Sequence, residues 1–213
     1  MADFLERIGD VTSDQGAEIV AYDSESQNLL VVSGGTEVEV FDASDPSNPF
    51  LVFVFDVADL VPNIGGVNSI AIADGLAAIA IEADPQTDPG SVALIDLDVF
   101  FTNSSAAGAF QTVQVGALPD NVAFSPDGTK VISANEGEPD DGVDPNGSVS
   151  IIDISGGVTG LSQADVTTVG FEAFNGREAD LRTDGVRIFP DATAAQDFEP
   201  EYVAVSPDGI QAF

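Results

Sequence analysis

Short apolar runs separated by Gly, Asn, Asp and Pro residues dominate the sequence. In the first quarter of the chain, four such runs have the length and composition of β-strands, at residues 19–22, 29–33, 37–42 and 51–57. The same order of four runs recurs twice, at residues 69–72, 77–81, 91–97 and 110–115, and at 121–124, 130–134, 148–154 and 166–171. Each unit is therefore predicted to be a four-stranded antiparallel meander.

A tetrad opens each unit and marks the repeat. Its copies are Glu-Ile-Val-Ala at 18–21, Asn-Ser-Ile-Ala at 68–71, Asp-Asn-Val-Ala at 120–123 and Glu-Tyr-Val-Ala at 201–204, and the last two lead into a Ser-Pro-Asp-Gly turn. Strands such as 51–55 are apolar at odd and even positions, which indicates that both faces are covered. Repetition and two covered faces predict an all-β fold, a β-propeller built of four-stranded antiparallel blades.

The repeats divide the chain into a closing strand within residues 1–15, blades at 16–60, 61–116 and 117–175, an insertion at 176–200, and the start of a next blade at 201–213. A short helical turn is expected at 176–182, and an unpaired outermost strand at 5–9. The third strands share an acid, at Asp42, Asp96 and Asp153, which we expect to bond a following turn amide. Three blades and part of a fourth form a partial propeller. We therefore expect self-association, or the remaining blades of a longer chain.

The charge balance excludes several partners. Five basic and 37 acidic residues give a net charge of −32, which repels nucleic acid and anionic membrane surfaces but attracts divalent cations. The absence of Cys and His removes thiolate chemistry and the Ser-His-Asp arrangement. No run approaches the ~20 apolar residues of a membrane span, so no membrane insertion is expected, and residues 1–4 lack the start of a signal peptide.

Six longer motifs carry a family resemblance. They are Ala-Glu-Ile-Val-Ala-Tyr-Asp at 17–23, Asp-Ala-Ser-Asp-Pro-Ser-Asn-Pro at 42–49, Gly-Ala-Leu-Pro-Asp at 116–120, Ala-Asn-Glu-Gly-Glu-Pro at 134–139, Gly-Val-Arg-Ile-Phe at 185–189 and Glu-Pro-Glu-Tyr at 199–202. Together they resemble the choice-of-anchor I family of secreted or surface β-propeller proteins with YVTN-like repeats. The resemblance implies an extracellular or cell-surface location, and some members carry alkaline phosphatase or phytase-like labels.

Two parallel acidic loops are the candidate site. Residues 82–91 and 136–148 join the second and third strands of their units, and both read acid-x-acid-Pro, a spacer, Asp-Pro and Gly-Ser. In a propeller, these loops share a rim with the segments that enter each first strand. Carboxylates without lysine partners repel one another, and Ca²⁺ with six to eight oxygen ligands relieves this. The alternative is that prolines stiffen the loops while the acids face water. The candidate metal ligands are Glu18, Glu82, Asp84, Asp88, Asp120, Glu136, Glu138, Asp140, Asp144 and Glu201.

Three of the five cations, Arg177, Arg182 and Arg187, lie within eleven residues of the insertion. The paired N–H donors of an arginine guanidinium match the oxygens of an anion such as phosphate, so these three residues are a candidate anion-binding group. Pairing with nearby acids such as Glu178 or Asp180 is the structural alternative.

Two functions from different classes remain open. The first is a non-catalytic extracellular or cell-surface propeller for binding or scaffolding, stabilised by calcium. The second is a calcium-dependent phosphoesterase in which carboxylate-bound metal activates water, so that metal replaces histidine. A cytosolic scaffold is a third reading, to which the extreme charge is unfavourable.

Overall fold

The computed structural model describes residues 6–102 and 108–213, which form three successive four-stranded sheets. Blade 1 contains β1 (Ile19–Asp23), β2 (Asn28–Val32), β3 (Glu37–Asp42) and β4 (Phe50–Asp56), paired antiparallel in chain order. Blade 2 contains β5 (Ile64–Ala73), β6 (Leu76–Ala83), β7 (Pro89–Asp96) and β8 (Phe110–Ala117), paired in the same order.

Blade 3 repeats this meander with β9 (Pro119–Phe124), β10 (Lys130–Asn135), β11 (Ser148–Asp153) and β12 (Val166–Gly170). All twelve strands lie where the sequence pattern predicts them, and the predicted all-β propeller architecture is confirmed. The largest difference is β5, which begins at Ile64 rather than at residue 69. The pairing of β5 with β6 begins at Ile64 and continues across two register shifts, between Ile64 and Gly66 and between Val67 and Ser69.

Helices occupy the connections. The α-helices are α1 (Leu97–Thr102), α2 (Glu178–Thr183) and α3 (Ala194–Asp197), and single 3-10 turns span Val57–Asp59, Val158–Gly160, Gln163–Asp165 and Glu172–Phe174. The helical turn predicted in the insertion corresponds to α2. Helix α1 was not predicted, because its apolar sequence continues that of β7. No helix among the described residues is long and apolar enough to cross a membrane.

The acid that ends each third strand caps the following turn, as predicted. Asp42 accepts the Ser44 amide at 2.8 Å, Asp96 accepts the Val99 amide at 3.0 Å, and Asp153 accepts the Ser155 amide at 2.9 Å. In blade 2 this bond lies at the start of α1 and fixes where β7 ends. The repeated acid therefore has a structural role in all three blades.

Apolar side chains fill the spaces between neighbouring blades. Strand β6 shows how one sequence serves two interfaces, because Ile79 and Ile81 pack in the core shared with blade 1 while Ala78 and Ala80 pack in the core shared with blade 3. All four are buried. Successive side chains of a strand point to opposite faces, so a run that is apolar at every position suits a blade packed on both sides.

Both ends of the described chain add short segments to the blades. Residues 203–213 form a small hairpin in which Ala204 and Phe213 exchange two hydrogen bonds of 2.8 Å, and Val203 packs against Ile132 and Ala134 of blade 3. At the other end, residues 6–18 contain no strand, and Leu5 lies outside the described residues. The closing strand at 5–9 therefore stays a prediction.

The outer strand of blade 1 is more apolar than its counterparts. Val54 pairs with Glu39 of β3, and Thr112 and Thr168 occupy the equivalent positions of blades 2 and 3. The residues from Phe50 to Val54 are all exposed, with Val54 at 40%, so the expectation that both faces of this strand are covered is wrong for β4. Exposed apolar edge strands promote association between chains.

Candidate functional site

Two asparagines of the repeated tetrads connect neighbouring blades. Asn121 of β9 is buried, donates to Ser69 Oγ of blade 2 at 3.3 Å, and accepts the Val203 amide at 3.1 Å through its Oδ1. Asn68 of β5 donates through Nδ2 to Glu82 Oε2 at 3.2 Å and to the Pro119 carbonyl oxygen at 3.3 Å. Each amide therefore ties the first strand of its own blade to the entry of the next.

These connections bring carboxylates from different blades to one rim. The residues before β1, within β9 and before the last hairpin are Glu18, Asp120 and Glu201, which share the first position of the tetrad. A Cβ atom at Gly34, in the turn between β2 and β3, would lie 3.3 Å from Glu18 Oε2, so that turn lies on the same rim. The loop from β10 joins it as well, because the Glu136 amide donates to the Leu118 carbonyl oxygen at 2.8 Å.

Asp120 lies at the centre of these charges. Burial raises its pKa above the ordinary value, and repulsion from Glu201, Glu82, Glu138 and Glu18 raises it further. Four different segments of the chain thus place acids within electrostatic range of one carboxylate. We call the whole group the acidic rim; its members are Glu18, Glu82, Asp120, Glu136, Glu138, Glu199 and Glu201.

Glu136 is the most strongly perturbed member of the acidic rim. Partial burial, followed by repulsion from Asp120, Glu138, Glu201 and Glu199, raises its pKa to about 7. Near neutral pH this carboxyl group is therefore partly protonated, and a bound cation would favour its ionised form. The arrangement suits cation binding or proton storage.

Glu199 extends the acidic rim toward the insertion. Burial and repulsion from Asp197 raise its pKa, the Arg187 guanidinium opposes that rise, and Glu138 and Asp144 add further repulsion. Asp197 is itself 9% exposed and accepts the Phe189 amide at 2.8 Å, which fixes the segment that carries Arg187.

The predicted metal ligands fall into two groups. Glu18, Glu82, Asp120, Glu136, Glu138 and Glu201 meet at the acidic rim, and Asp144 lies within range of Glu199. The remaining three, Asp84, Asp88 and Asp140, are not among the acids that act on Asp120, Glu136 or Glu199. Local turns hold two of them: the Asp88 amide donates to Pro85 at 3.0 Å, and Asp140 and Val143 form a bridge.

The rim as it stands is not a closed metal cage. Among the described residues, no group of three or more Asp, Glu, His or Cys side chains is arranged to hold a metal ion. The acids are near enough to repel one another, yet their oxygens do not converge on one point. A cation that binds here would draw them together.

The three predicted anion-binding arginines have different surroundings. Arg182 donates through Nε to the Ile188 carbonyl oxygen at 2.8 Å and through a terminal nitrogen to the Phe189 carbonyl oxygen at 2.6 Å, which fixes the end of the insertion. Arg187 and Arg177 lie over the Phe189 and Phe174 rings, at 5.0 and 5.9 Å from the centroids. Within the described parts of the chain, none of the three forms an ion pair. The alternative of pairing with neighbouring acids is thus not seen there. The Arg187 guanidinium acts electrostatically on Glu199 of the acidic rim.

Sequence reasoning did not assign the two tetrad asparagines or Asp197 to this region. For Asn68, the sequence feature that points to this region is its place in the tetrad, because the other three copies carry an acid there. Nothing in the local sequence marks Asp197, because its role depends on the insertion folding back on Phe189.

Comparison with known proteins supports the fold and the family. No curated protein matches the sequence. Among solved structures, Kuenenia stuttgartiensis hydrazine synthase is similar with a TM-score of 0.55 and 17% identity, over 93% of this chain and 42% of that one. The present chain therefore spans less than half of that protein, and the likeness shows a shared fold alone.

The sequence profile of the choice-of-anchor I domain matches residues 18–213, which covers all three blades, the insertion and the final hairpin. This match begins at the first residue of the first tetrad. Together with the blade architecture, it indicates a surface-associated β-propeller module. The chain belongs to the choice-of-anchor I family.

Proposed function

We propose that this chain is a non-catalytic, extracellular binding and scaffolding module whose acidic rim binds calcium. The observation that supports the proposal most is that acids from separate segments of the chain lie within electrostatic range of Asp120. Burying or crowding carboxylates without cationic partners costs free energy, which a hard divalent cation recovers by direct coordination.

Calcium suits this rim better than a smaller cation. Ca²⁺ accepts six to eight oxygen ligands in flexible geometry and includes backbone carbonyl oxygens and water, whereas Mg²⁺ requires near-octahedral geometry at short distances. The rim offers acids on separate loops rather than a rigid cage. Sites of extracellular modules bind calcium with Kd values of about 10⁻⁴–10⁻³ M, an affinity that such an open arrangement can reach.

Thermal unfolding with chelator and with calcium, at fixed ionic strength, tests the proposal. Binding to the native state alone stabilises by about 2.7 kcal/mol at a calcium concentration 100-fold above Kd. We expect calcium to raise the Tm of the parent protein clearly more than magnesium does. Asp120→Asn should lose most of that difference, while Glu25→Gln, an exposed acid outside the acidic rim, should keep it. Equal Tm values in calcium and chelator would remove the calcium site.

Calcium-dependent phosphoester hydrolysis is the second candidate. Arg187 favours it, because this guanidinium acts on Glu199 and has no ion-pair partner among the described residues. A metal on the rim and a guanidinium beside it would together suit a phosphate group. Hydrolysis of a phosphomonoester should then require calcium and disappear in a Glu136→Gln, Asp144→Asn double variant that still folds. Absence of turnover with every divalent metal would leave the binding module as the function.

A further inference from the structure

One face of blade 1 is turned away from blade 2, and a charged side chain lies in its middle. Glu39 of β3 pairs with Val31 and Val54 on this face. Glu39 lies three residues before the acid that ends the third strand. The residues at the same place are Ala93 in blade 2 and Ser150 in blade 3. Ala93 is part of the core between blades 1 and 2. A side chain at this position therefore faces the preceding blade.

A segment before β1 lies across this face; we call residues 9–17 the strap. The Ser13 hydroxyl donates to Glu39 Oε2, and the Asp14 amide donates to Glu39 Oε1 at 3.2 Å. The Ser13 hydroxyl also contacts the Gly16 carbonyl oxygen. At the other end of the strap, Gly9 packs so closely on the backbone of Pro46 and Ser47 that a Cβ atom would not fit there.

The strap accounts for burial that the sheet alone does not provide. Glu39 is 3% exposed and Phe41, on the same face, is 1% exposed, although no blade of the described residues packs on this side. At the edge of the face, away from the bonds to the strap, Val20 and Tyr22 remain 53% and 48% exposed. A buried carboxylate is stable only when hydrogen-bonded, and both donors to Glu39 come from the strap.

We propose that the strap is a removable cover, latched by Glu39, that keeps this face of blade 1 from packing on a second copy of the chain. The face is built like those that pack at the two blade interfaces within the chain, with apolar side chains around a central position. Its apolar edge continues onto the exposed residues of β4. The strap precedes the region shared with the family, which begins at residue 18.

Glu39 opposes association through this face by two effects, which different substitutions can separate. It holds the strap in place, and if the strap leaves, its unpaired carboxylate opposes contact with another apolar sheet. A variant that weakens the latch but keeps the carboxylate should therefore loosen the strap without association. A variant that removes the carboxylate should loosen the strap and allow association.

Hydrogen exchange of the Asp14 amide and sedimentation velocity test these two effects. In Ser13→Ala we expect Asp14 to exchange about tenfold faster than in the parent, since the latch loses one of its two bonds, while the protein stays monomeric. In Glu39→Ala, which installs the residue of blade 2, exchange should accelerate at least as much, and dimers should form in about 0.5 M NaCl, where repulsion between the −32 charges is screened. Glu37→Ala, on the same strand, should change neither property.

Three outcomes would overturn the proposal. The latch does not exist if Asp14 exchanges as fast in the parent as in both variants, and the Ser13→Ala result decides this even if Glu39→Ala fails to fold. The cover has no role in association if Glu39→Ala loosens the strap but remains monomeric over the concentration range tested. Dimers of the parent protein with a protected Asp14 amide would also contradict it, because the face would then be covered.

Discussion

Replacing Glu136 by glutamine should stabilise the protein at alkaline pH. Burial and carboxylate repulsion raise the pKa of Glu136 from 4.5 to about 7, so the folded state holds a proton that the unfolded chain releases. Stability is therefore lost as pH rises from 4.5 through 7. At ~1.36 kcal/mol per unit of pKa, the full difference corresponds to about 3 kcal/mol before solvent screening is considered.

Solvent screening reduces this figure, because the Glu136 side chain is only partly buried. We expect Glu136→Gln to gain about 1 kcal/mol at pH 8, which for a domain of this size raises Tm by roughly 2–4 °C. At pH 5 most of the gain should be absent, since the folded parent is then protonated at this position. Glutamine keeps the shape of the side chain, so packing is unchanged.

The assay is thermal unfolding of the parent, Glu136→Gln and Glu25→Gln at pH 5 and pH 8 in constant salt without divalent metal. Glu25→Gln removes one charge from an exposed position outside the acidic rim and measures the general benefit of lowering the net charge. No gain at pH 8 beyond that control would refute the reasoning. A gain of equal size at both pH values would show that ionisation of Glu136 is not its cause.

Three further outcomes follow from the contacts described. Tm should be highest near about pH 5. Above that pH, ionised Glu136 destabilises the folded state, and below about pH 4 the protein loses the stabilising contribution of Asp127, whose pKa the Ser125 hydroxyl lowers to about 2; a Tm that does not change with pH would contradict this. Asn121→Ala should cost about 1–3 kcal/mol in denaturant unfolding, because it leaves the Val203 amide without its acceptor, and a cost near zero would show that this bond does not hold the hairpin. Val54→Thr should slow aggregation on heating while changing the free energy of unfolding by less than about 0.5 kcal/mol. Unchanged light scattering would show that β4 is not the edge through which chains associate.

Local sequence determined the blades. Strand periodicity, turn residues and repetition of the tetrad act over a few residues, and they predicted the twelve strands and the caps made by Asp42, Asp96 and Asp153. The net charge of −32 follows from composition alone, and an acid begins three of the four tetrads. Because propeller geometry places equivalent positions on one rim, the convergence of Glu18, Asp120 and Glu201 could be anticipated.

Tertiary structure decided which acids meet and what they meet. Glu138 and Asp84 occupy matching places in their loops, yet only Glu138 is among the acids that act on Asp120 and Glu136. The loop that carries Glu138 is tied to the entry of β9 by the Glu136 amide, which donates to the Leu118 carbonyl oxygen. The burial of Glu39 depends on bonds from a segment more than twenty residues away. Such contacts join residues distant in sequence, and their electrostatic and desolvation energies depend on separation in space, which the linear pattern of the chain does not contain.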